Sequence, residues 1–525
     1  MTLQHKIGRL AGGASVLFAL AACNPDLNVT NPNNPDVARA IATPGDVRNL
    51  IGNSFNTAYL GMQGAARPYP AAATAVMADN LTASFGNFGM RFNGQEPRLA
   101  YENSSAADDG RLASDPYEQL YAGLGAVNDG LAAVKRGIVI QVTPAAPDET
   151  EQLVTLGHLV QGLTMGMIGL TFDQGFIVDE DTPLGTATLV PYADVSAAAL
   201  TKFDKAIAGA TGKSWTIPAE FTGGLTITAD RLARIANTFA ARQIAYTART
   251  ETENKAANWA KVLQYADKGI STGTSFDVAF EGDGGNLWYD LQKFYGNAAS
   301  WMRVDQRVVQ LFDPTQPVVY TSVNPPPRAS SADRRFGTEA TPGTDFGYYP
   351  VIPFAVARGV YFFSQWGHDR YGFHSLESAN GLEGNVPLIL AAENDLLIAE
   401  ALVRSGGDKA RAATLINKTR VGRGGLAALS GGSSTNDLLA AIFYERDVEL
   451  MNTSAGQAWF DRRRIDASLT YNGVPIGNTW GFRGGSGLQK GTPRHLPVPA
   501  KELETLGIPV YTYGGDAPNP VFPEK

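Results

Sequence analysis

The chain has 525 residues, 44% of them hydrophobic, with 43 Lys plus Arg against 51 Asp plus Glu and a formal net charge of −8. Such a composition buries a large core, as two to four domains or as one extended helical array. It excludes a polyanion binder, because no basic tract exceeds Arg462-Arg463-Arg464, so nucleic acid is not an expected partner; a single cysteine excludes a disulfide framework.

At the N-terminus, His5, Lys6 and Arg9 precede an uncharged run, Leu10 to Ala22, that is too short to span a bilayer as a mature anchor. The pattern predicts a secretory signal peptide over 1–22. A plain signal peptide needs no cysteine behind it, yet the run ends Leu20-Ala21-Ala22-Cys23, and Cys23 is the only cysteine in the chain. This resembles the bacterial lipobox, which implies cleavage before Cys23 and a diacylglycerol (palmitate-type chains) thioether-linked to its sulfur. Each buried methylene contributes about 0.8 kcal/mol, so several chains hold a soluble body on a membrane. Asn24 to Pro35 is rich in Asn and Pro, and 23–42 reads as a lipidated cysteine and flexible tether.

The body is expected over 43–525. Thr43-Pro44-Gly45-Asp46 is a helix start, with Thr as cap, Pro at the first helical position and Asp three residues beyond the cap; the helix should reach about Tyr59. A second helix is expected over 71–80 and irregular chain over 81–112. Asp115 to Arg136 places Tyr117, Leu120, Tyr121, Leu124, Val127 and Leu131 at helical spacing. Leu153 to Phe172 carries no Asp, Glu, Lys or Arg. Its glycines, threonines, His158 and Gln161 argue against a membrane span and for a buried helix whose glycines let neighbours approach. Helices follow over 192–208, 229–249 and 256–270, with a short strand or extended loop at 222–228. The short link TETENK makes the last two helices a hairpin. A further hairpin spans 391–404 and 408–421, and a helix over 437–451 begins with Ser434 and Asp437 spaced as a capping box.

These pairs predict a mainly α fold: tetratricopeptide-like helical hairpins forming a scaffold (about 43–272 and 389–465), covered by long irregular loops with a few short strands. The region 273–388 is the loop-rich, ligand-facing part, and 466–525 a C-terminal segment.

Catalytic patterns fail on inspection. Gly209 to Ser214 lacks the first glycine of a phosphate loop and sits at a helix end; Gly422 to Ala427 lacks the last glycine of a dinucleotide fingerprint. His368 and His374 are six apart, unlike helical metal pairs. Asp179-Glu180-Asp181 reads as a solvated acidic loop that could attract calcium. Glu445 and Glu449, four apart on one helix face, read as ion-pair partners of Arg446 and Arg462 to Arg464 rather than as a catalytic pair. The expectation is no catalytic residue, no metal and no cofactor.

Several blocks, in order, resemble the SusD/RagB family of outer-membrane lipoproteins. Ala391-Ala392-Glu393-Asn394-Asp395-Leu396-Leu397-Ile398-Ala399-Glu400-Ala401 looks like its AE-x-LL-x-AEA helix. Ala412 to Leu426 is similar to its A-x-x-x-IN-x-VR-x-RAGL helix end. Glu445-Arg446-Asp447-Val448-Glu449-Leu450 with Trp459-Phe460-Asp461-Arg462-Arg463 resembles its ER-x-x-EL…RWFDL signature, and Leu496 to Leu503 its closing LPIP segment. Ala458 stands where the family often has Arg, and Asn452 to Gly456 replaces its usual Phe-Glu-Gly. The resemblance implies a surface lipoprotein that binds oligosaccharide or peptide nutrients. It also implies delivery, as a lid, to a partner TonB-dependent (SusC-like) outer-membrane transporter, without cleavage of the ligand. A lipid-anchored glycoside hydrolase and a structural helical-repeat adaptor are the alternatives.

Aromatic clusters mark the expected ligand surface, since sugar rings present apolar C–H faces to flat aromatics. Any one of these aromatics, taken singly, reads first as core. The candidates are Phe88 and Arg91 from an early loop, then Trp288, Tyr289, Trp301, Tyr361 and Trp366.

Overall fold

The computed structural model describes residues 43–65, 67–83, 86–94, 98–106, 111–183, 185–284, 288–317, 326–351, 364–477 and 487–515. The signal segment 1–22, Cys23, the tether and Tyr361 lie outside them.

The first helix, α1 (Pro44–Gln63), opens as its cap predicts. Thr43 Oγ1 accepts from Asp46 N and Asp46 Oδ2 accepts from Thr43 N, both at 3.2 Å, with Pro44 in the first turn. It runs past the expected end because Leu60 to Gln63 is buried. Helix α2 (Ala71–Met77) stops short of 80, where Asp79 turns to a φ of 52°. The segment expected to be irregular holds β1 (Leu81–Thr82) and α3 (Met90–Gly94). Then come α4 (Arg111–Lys135) and α5 (Thr150–Thr171), the uncharged stretch. The apolar window of α5 is 89% buried inside the protein, which makes it a core helix.

A hairpin of β2 (Gln174–Phe176) and β3 (Leu189–Pro191) leads to α6 (Tyr192–Ala210). A Cβ at Gly157 would come within 2.9 Å of Leu131 in α4, and one at Gly162 within 2.6 Å of Phe203 in α6. The glycines of α5 therefore set how closely its neighbours approach. The run 222–228 forms only a bridge, Thr216 to Thr228, before α7 (Ala229–Thr247). The link to α9 (Trp259–Ala266) is itself helical in α8 (Glu251–Ala256). The phosphate-loop lookalike is a helix end, with Gly212 at φ 75° just past α6.

Next come β4 (Val278–Asp283), α10 (Leu291–Gly296), β5 (Arg303–Val304), α11 (Gln306–Phe312), β6 (Phe346–Tyr348), β7 (Trp366–His368) and β8 (Glu383–Ile389). The scaffold resumes with α12 (Ala391–Arg404), α13 (Lys409–Arg420), α14 (Thr435–Val448), capped by Ser434 and Asp437 as predicted, and α15 (Gln457–Arg462). Strands β9 (Thr470–Tyr471) and β10 (Val474–Pro475) and helix α16 (Ala500–Thr505) complete the fold. Helices pack in succession: α1 on α4, α4 on α5, then α6, α7, α9, α12, and finally α13 and α14 on α12. This is the expected mainly helical scaffold.

Two pairings position the loop-rich region. Antiparallel β4 and β8, paired from Ala279↔Pro387 to Asp283↔Glu383 and, past a bulge, at Val278↔Ile389, close the base of the excursion 284–382 between α9 and α12. Antiparallel β1 and β5, Leu81↔Val304 and Thr82↔Arg303, tie the early loop to it.

The paired acids, Glu445 in α14 and Glu449 at its C-cap, are buried in an ion-pair network, but with a partner other than the expected one. Arg335, from the excursion, donates to Glu445 at 2.7 and 3.1 Å, to Glu449 at 3.2 Å and to Asp333 at 2.7 Å. Burial works against its charge, yet Glu445 and Asp333 raise its pKa overall. Arg446 and Arg464 turn instead to Glu400, at 2.5 Å and at 2.8 and 2.9 Å. Arg462 and Arg463 satisfy backbone carbonyls, including Ile476 O and Leu170 O. The arginine run is thus a set of pins through the core.

Candidate ligand-binding face

Helix α10 presents two rings outward because its base is locked. Asp290 caps it, accepting Lys293 N at 2.9 Å through Oδ1 and Lys293 Nζ at 2.5 Å through Oδ2, both side chains being fully buried. Burial lowers the pKa of Lys293, and Asp290 opposes that shift. His374 Nε2 accepts Asp290 N at 3.1 Å, so its Nδ1–H faces Glu383 O at 3.2 Å. His368 lies behind, its Nδ1 2.8 Å from Asn297 Oδ1. Both histidines therefore hold α10 and the following turn in place.

Phe294 and Tyr295 then stand half-buried at the surface, with ring centroids 4.9 Å apart. Trp301 backs Tyr295 at 4.5 Å, and Phe88 closes the cluster at 5.5 Å from Tyr295 and 5.8 Å from Trp301. Phe88 holds a φ of 58°, a left-handed conformation that costs a bulky residue energy and is found where a site over-determines it. Phe92 and Asn93 of α3, with Arg98, Leu99 and Tyr101 beyond it, line an open groove of about 300 Å³. Phe92 and Leu99 are 46% and 58% exposed.

The sequence candidates divide. Phe88 is half-buried in the ring cluster, and Arg91 lies on the same segment, also half-buried. Trp301 is in the cluster but buried at 7%, as backing. Trp288 packs in the core against Phe280 at 4.2 Å and Tyr59 at 5.2 Å. Tyr289 is half-buried and donates to Ala65 O. Trp366 is 4% exposed, 3.8 Å from the Phe336 ring. The half-buried rings grouped with Phe88 are Phe294 and Tyr295, which follow the candidate pair Trp288-Tyr289 by one helical turn or more.

A second, smaller pocket of about 180 Å³ is lined by Arg328, Phe336, Thr344, Tyr348, Trp366 and Asp369. Asp369 takes the Tyr349 hydroxyl on both oxygens, at 2.9 and 3.0 Å. Burial raises its pKa, Tyr349 lowers it and Glu377 raises it again, leaving it above the ordinary value. Among the described residues, no group of three or more His, Cys, Asp or Glu is arranged to hold a metal ion. The acidic triplet is not free: Lys202 reaches Asp179 at 2.9 Å and Glu180 at 3.3 Å, and Lys135 pairs with Asp181. Burial would raise the two carboxyls, but Lys202 and Thr182 hold Asp179, and Gln161 with Lys202 holds Glu180, at about 2.

Residues 359–495 match the SusD family. Solved structures with the same fold include surface glycan-binding protein A from Bacteroides uniformis, at 15% identity and TM-score 0.58, covering 88% of this chain and 98% of that one. A SusD superfamily protein from Parabacteroides distasonis gives 13% and 0.60 over 88% and 98% of the two chains. A SusD-like carbohydrate binding protein from Bacteroides vulgatus gives 14% and 0.54 over 83% and 85%. At these identities the likeness is one of fold. No curated protein sequence matches the chain.

Proposed function

We propose that this chain, a member of the SusD family by its 359–495 segment and its fold, binds an oligosaccharide at the face built by Phe88, Phe294 and Tyr295 and releases it uncleaved. The observation that carries the reading is the grouping of three half-exposed rings around Trp301, next to the 300 Å³ groove. Such rings offer flat apolar faces to sugar C–H groups, and Arg91, Asn93 and Glu102 stand within the same segment to read hydroxyls. A structural adaptor would have no use for open rings on this face. Glycan binding is also what the solved relatives from B. uniformis and B. vulgatus are named for.

The finer reading is a surface lipoprotein of the bacterial outer membrane, anchored through Cys23 and serving as the lid of a TonB-dependent transporter. A lipid anchor and a tether over 23–42 keep the body at high effective concentration beside a membrane partner, so the lid need not bind it tightly. Purified protein, made soluble by Cys23→Ala, should show quenching of aromatic fluorescence by a glycan with Kd on the order of 1 μM to 1 mM. It should release no reducing ends. A panel of glycans and peptides that leaves the fluorescence unchanged, or any turnover, would overturn the binding reading. Mass spectrometry finding an unmodified Cys23 sulfur in membrane fractions would overturn the anchor.

A further inference from the structure

We propose that the 180 Å³ pocket beneath Arg328 receives the carboxylate of an acidic sugar, so that the bound glycan carries uronic acid units; this rests on the glycan-binding reading above. The guanidinium carbon of Arg328 lies 4.5 Å from the Tyr348 ring centre and 5.9 Å from that of Trp366. Stacking on aromatic faces fixes the plane of the fork. Its Nε is buried and has no hydrogen-bond partner among the described residues. The nearest carboxylate, Glu339, is 3.8 Å away, outside hydrogen-bond range, on a side chain 83% exposed.

No other arginine of the excursion is left this way among the described residues. Arg303 bonds Val351 O, Arg307 bonds both oxygens of Asp447, Arg334 bonds Gly422 O, Arg335 bonds three carboxylates, and Arg370 bonds Glu449. A half-buried guanidinium with an open fork at a cavity wall is matched by a planar carboxylate, which accepts two parallel N–H groups. The opposite wall supplies the complement for hydroxyls, because each Asp369 oxygen keeps lone pairs beyond the one that Tyr349 uses. The volume equals about six waters at ~30 Å³ each, room for one sugar unit. The pocket lies close to the ring cluster in the fold: β7, which carries Trp366, packs on β5, and a Cβ at Gly367 would meet Ala299, two residues before Trp301.

The test compares acid and methyl-ester forms of three oligomers: oligogalacturonate, oligomannuronate and a glucuronate-bearing xylan fragment. Binding to the purified protein is measured by calorimetry at low and moderate salt. At least one acid should bind about tenfold or more tighter than its ester, as befits charge-assisted hydrogen bonds. Arg328→Gln should abolish that difference, and Arg328→Lys should restore only part of it. Neither variant removes a hydrogen bond, and unchanged melting confirms intact folds. Equal binding of acid and ester in all three pairs, with a neutral glycan still bound, overturns the acidic assignment alone. An acid preference that survives Arg328→Gln overturns the pocket. A sulfated galactan fragment bound as tightly as the best acid overturns the choice of carboxylate. Failure of every sugar, neutral or acidic, overturns this inference together with the glycan-binding reading.

Discussion

Glu400, in α12, accepts from Arg404 at 2.7 Å, from Arg446 at 2.5 Å and from Arg464 at 2.8 and 2.9 Å, and all four side chains are buried. Arg328, in the excursion, stacks on two rings, its Nε has no hydrogen-bond partner among the described residues, and its one ion pair, to the exposed Glu339, is 3.8 Å long. The rings divide in the same way. Trp459 of the scaffold is fully buried with its N–H on Pro493 O at 3.0 Å, whereas Phe294 and Tyr295 keep open faces. Where polar and aromatic groups hold helices together, their valences are filled from within. Where they face a cavity, fewer of them are filled among the described residues, which is the difference that the proposed ligand would exploit.

The comparison breaks most visibly at Glu400. Replacing it by Gln leaves three buried guanidiniums with reduced compensation, and such a loss costs about 3–5 kcal/mol. Thermal or urea melting should show a large fall in stability, while Arg328→Gln should stay within about 0.5 kcal/mol of the parent. Equal effects of the two substitutions would erase the distinction between the regions.

A smaller effect is expected where excursion and scaffold meet. His368 sits between Asn297 and Asn452, and burial holds it neutral, down to about 3; burial lowers His158, His374 and His495 too. In the unfolded chain these rings titrate near 6.5. Below that pH the unfolded state binds protons that the folded state refuses, so stability falls with acidification by up to about 1.4 kcal/mol per pH unit per histidine. Glu400 acts in a lower window. Burial would raise its pKa, but three arginines hold it well below the ordinary value, so its contribution is full above about 4.5 and is lost beneath. Urea titrations at pH 7, 6 and 5 should show a shallower slope for His368→Gln, by about one proton. An unchanged slope would place that ring in contact with solvent.

At the open face, Tyr295→Ala should weaken a bound glycan about tenfold, a contribution of the size of one aromatic contact, with little change in melting. Trp288→Ala should do the reverse, costing about 3–5 kcal/mol of stability because the ring lies among Phe55, Tyr59 and Phe280.

That reversal also marks what could be read from the residues alone. Long helices and their caps were legible because their signals are local: 3.6-residue spacing in α4 and α5, and the boxes at Thr43 and Ser434. The partner of Glu445 was not, since Arg335 lies 110 residues away and no periodicity links them. The face was legible as a set of segments but not ring by ring. The hydrophobicity that makes tryptophan a good platform also buries it, leaving Trp288, Trp301 and Trp366 at 6, 7 and 4% exposure, while Tyr295, with a polar edge, stays at the surface. The strands that gather the cluster, β1 and β5, are two residues each, too short to show alternation.

The smallest predicted effect separates local from global support. Thr43→Ala removes one hydroxyl, which accepts from Asp46 N and donates to Asp46 Oδ2, from the exposed start of α1, a change worth about 1 kcal/mol. Among the described residues, the ring contacts of helix α1 with these segments run through Phe55 and Tyr59, which touch Phe280 and Trp288 in the core. Melting should therefore drop slightly, and glycan affinity measured on the same sample should stay at the parent value. A parallel loss of affinity would show that the open face depends on the whole scaffold's stability rather than on the lock that Asp290, Lys293 and His374 place under α10.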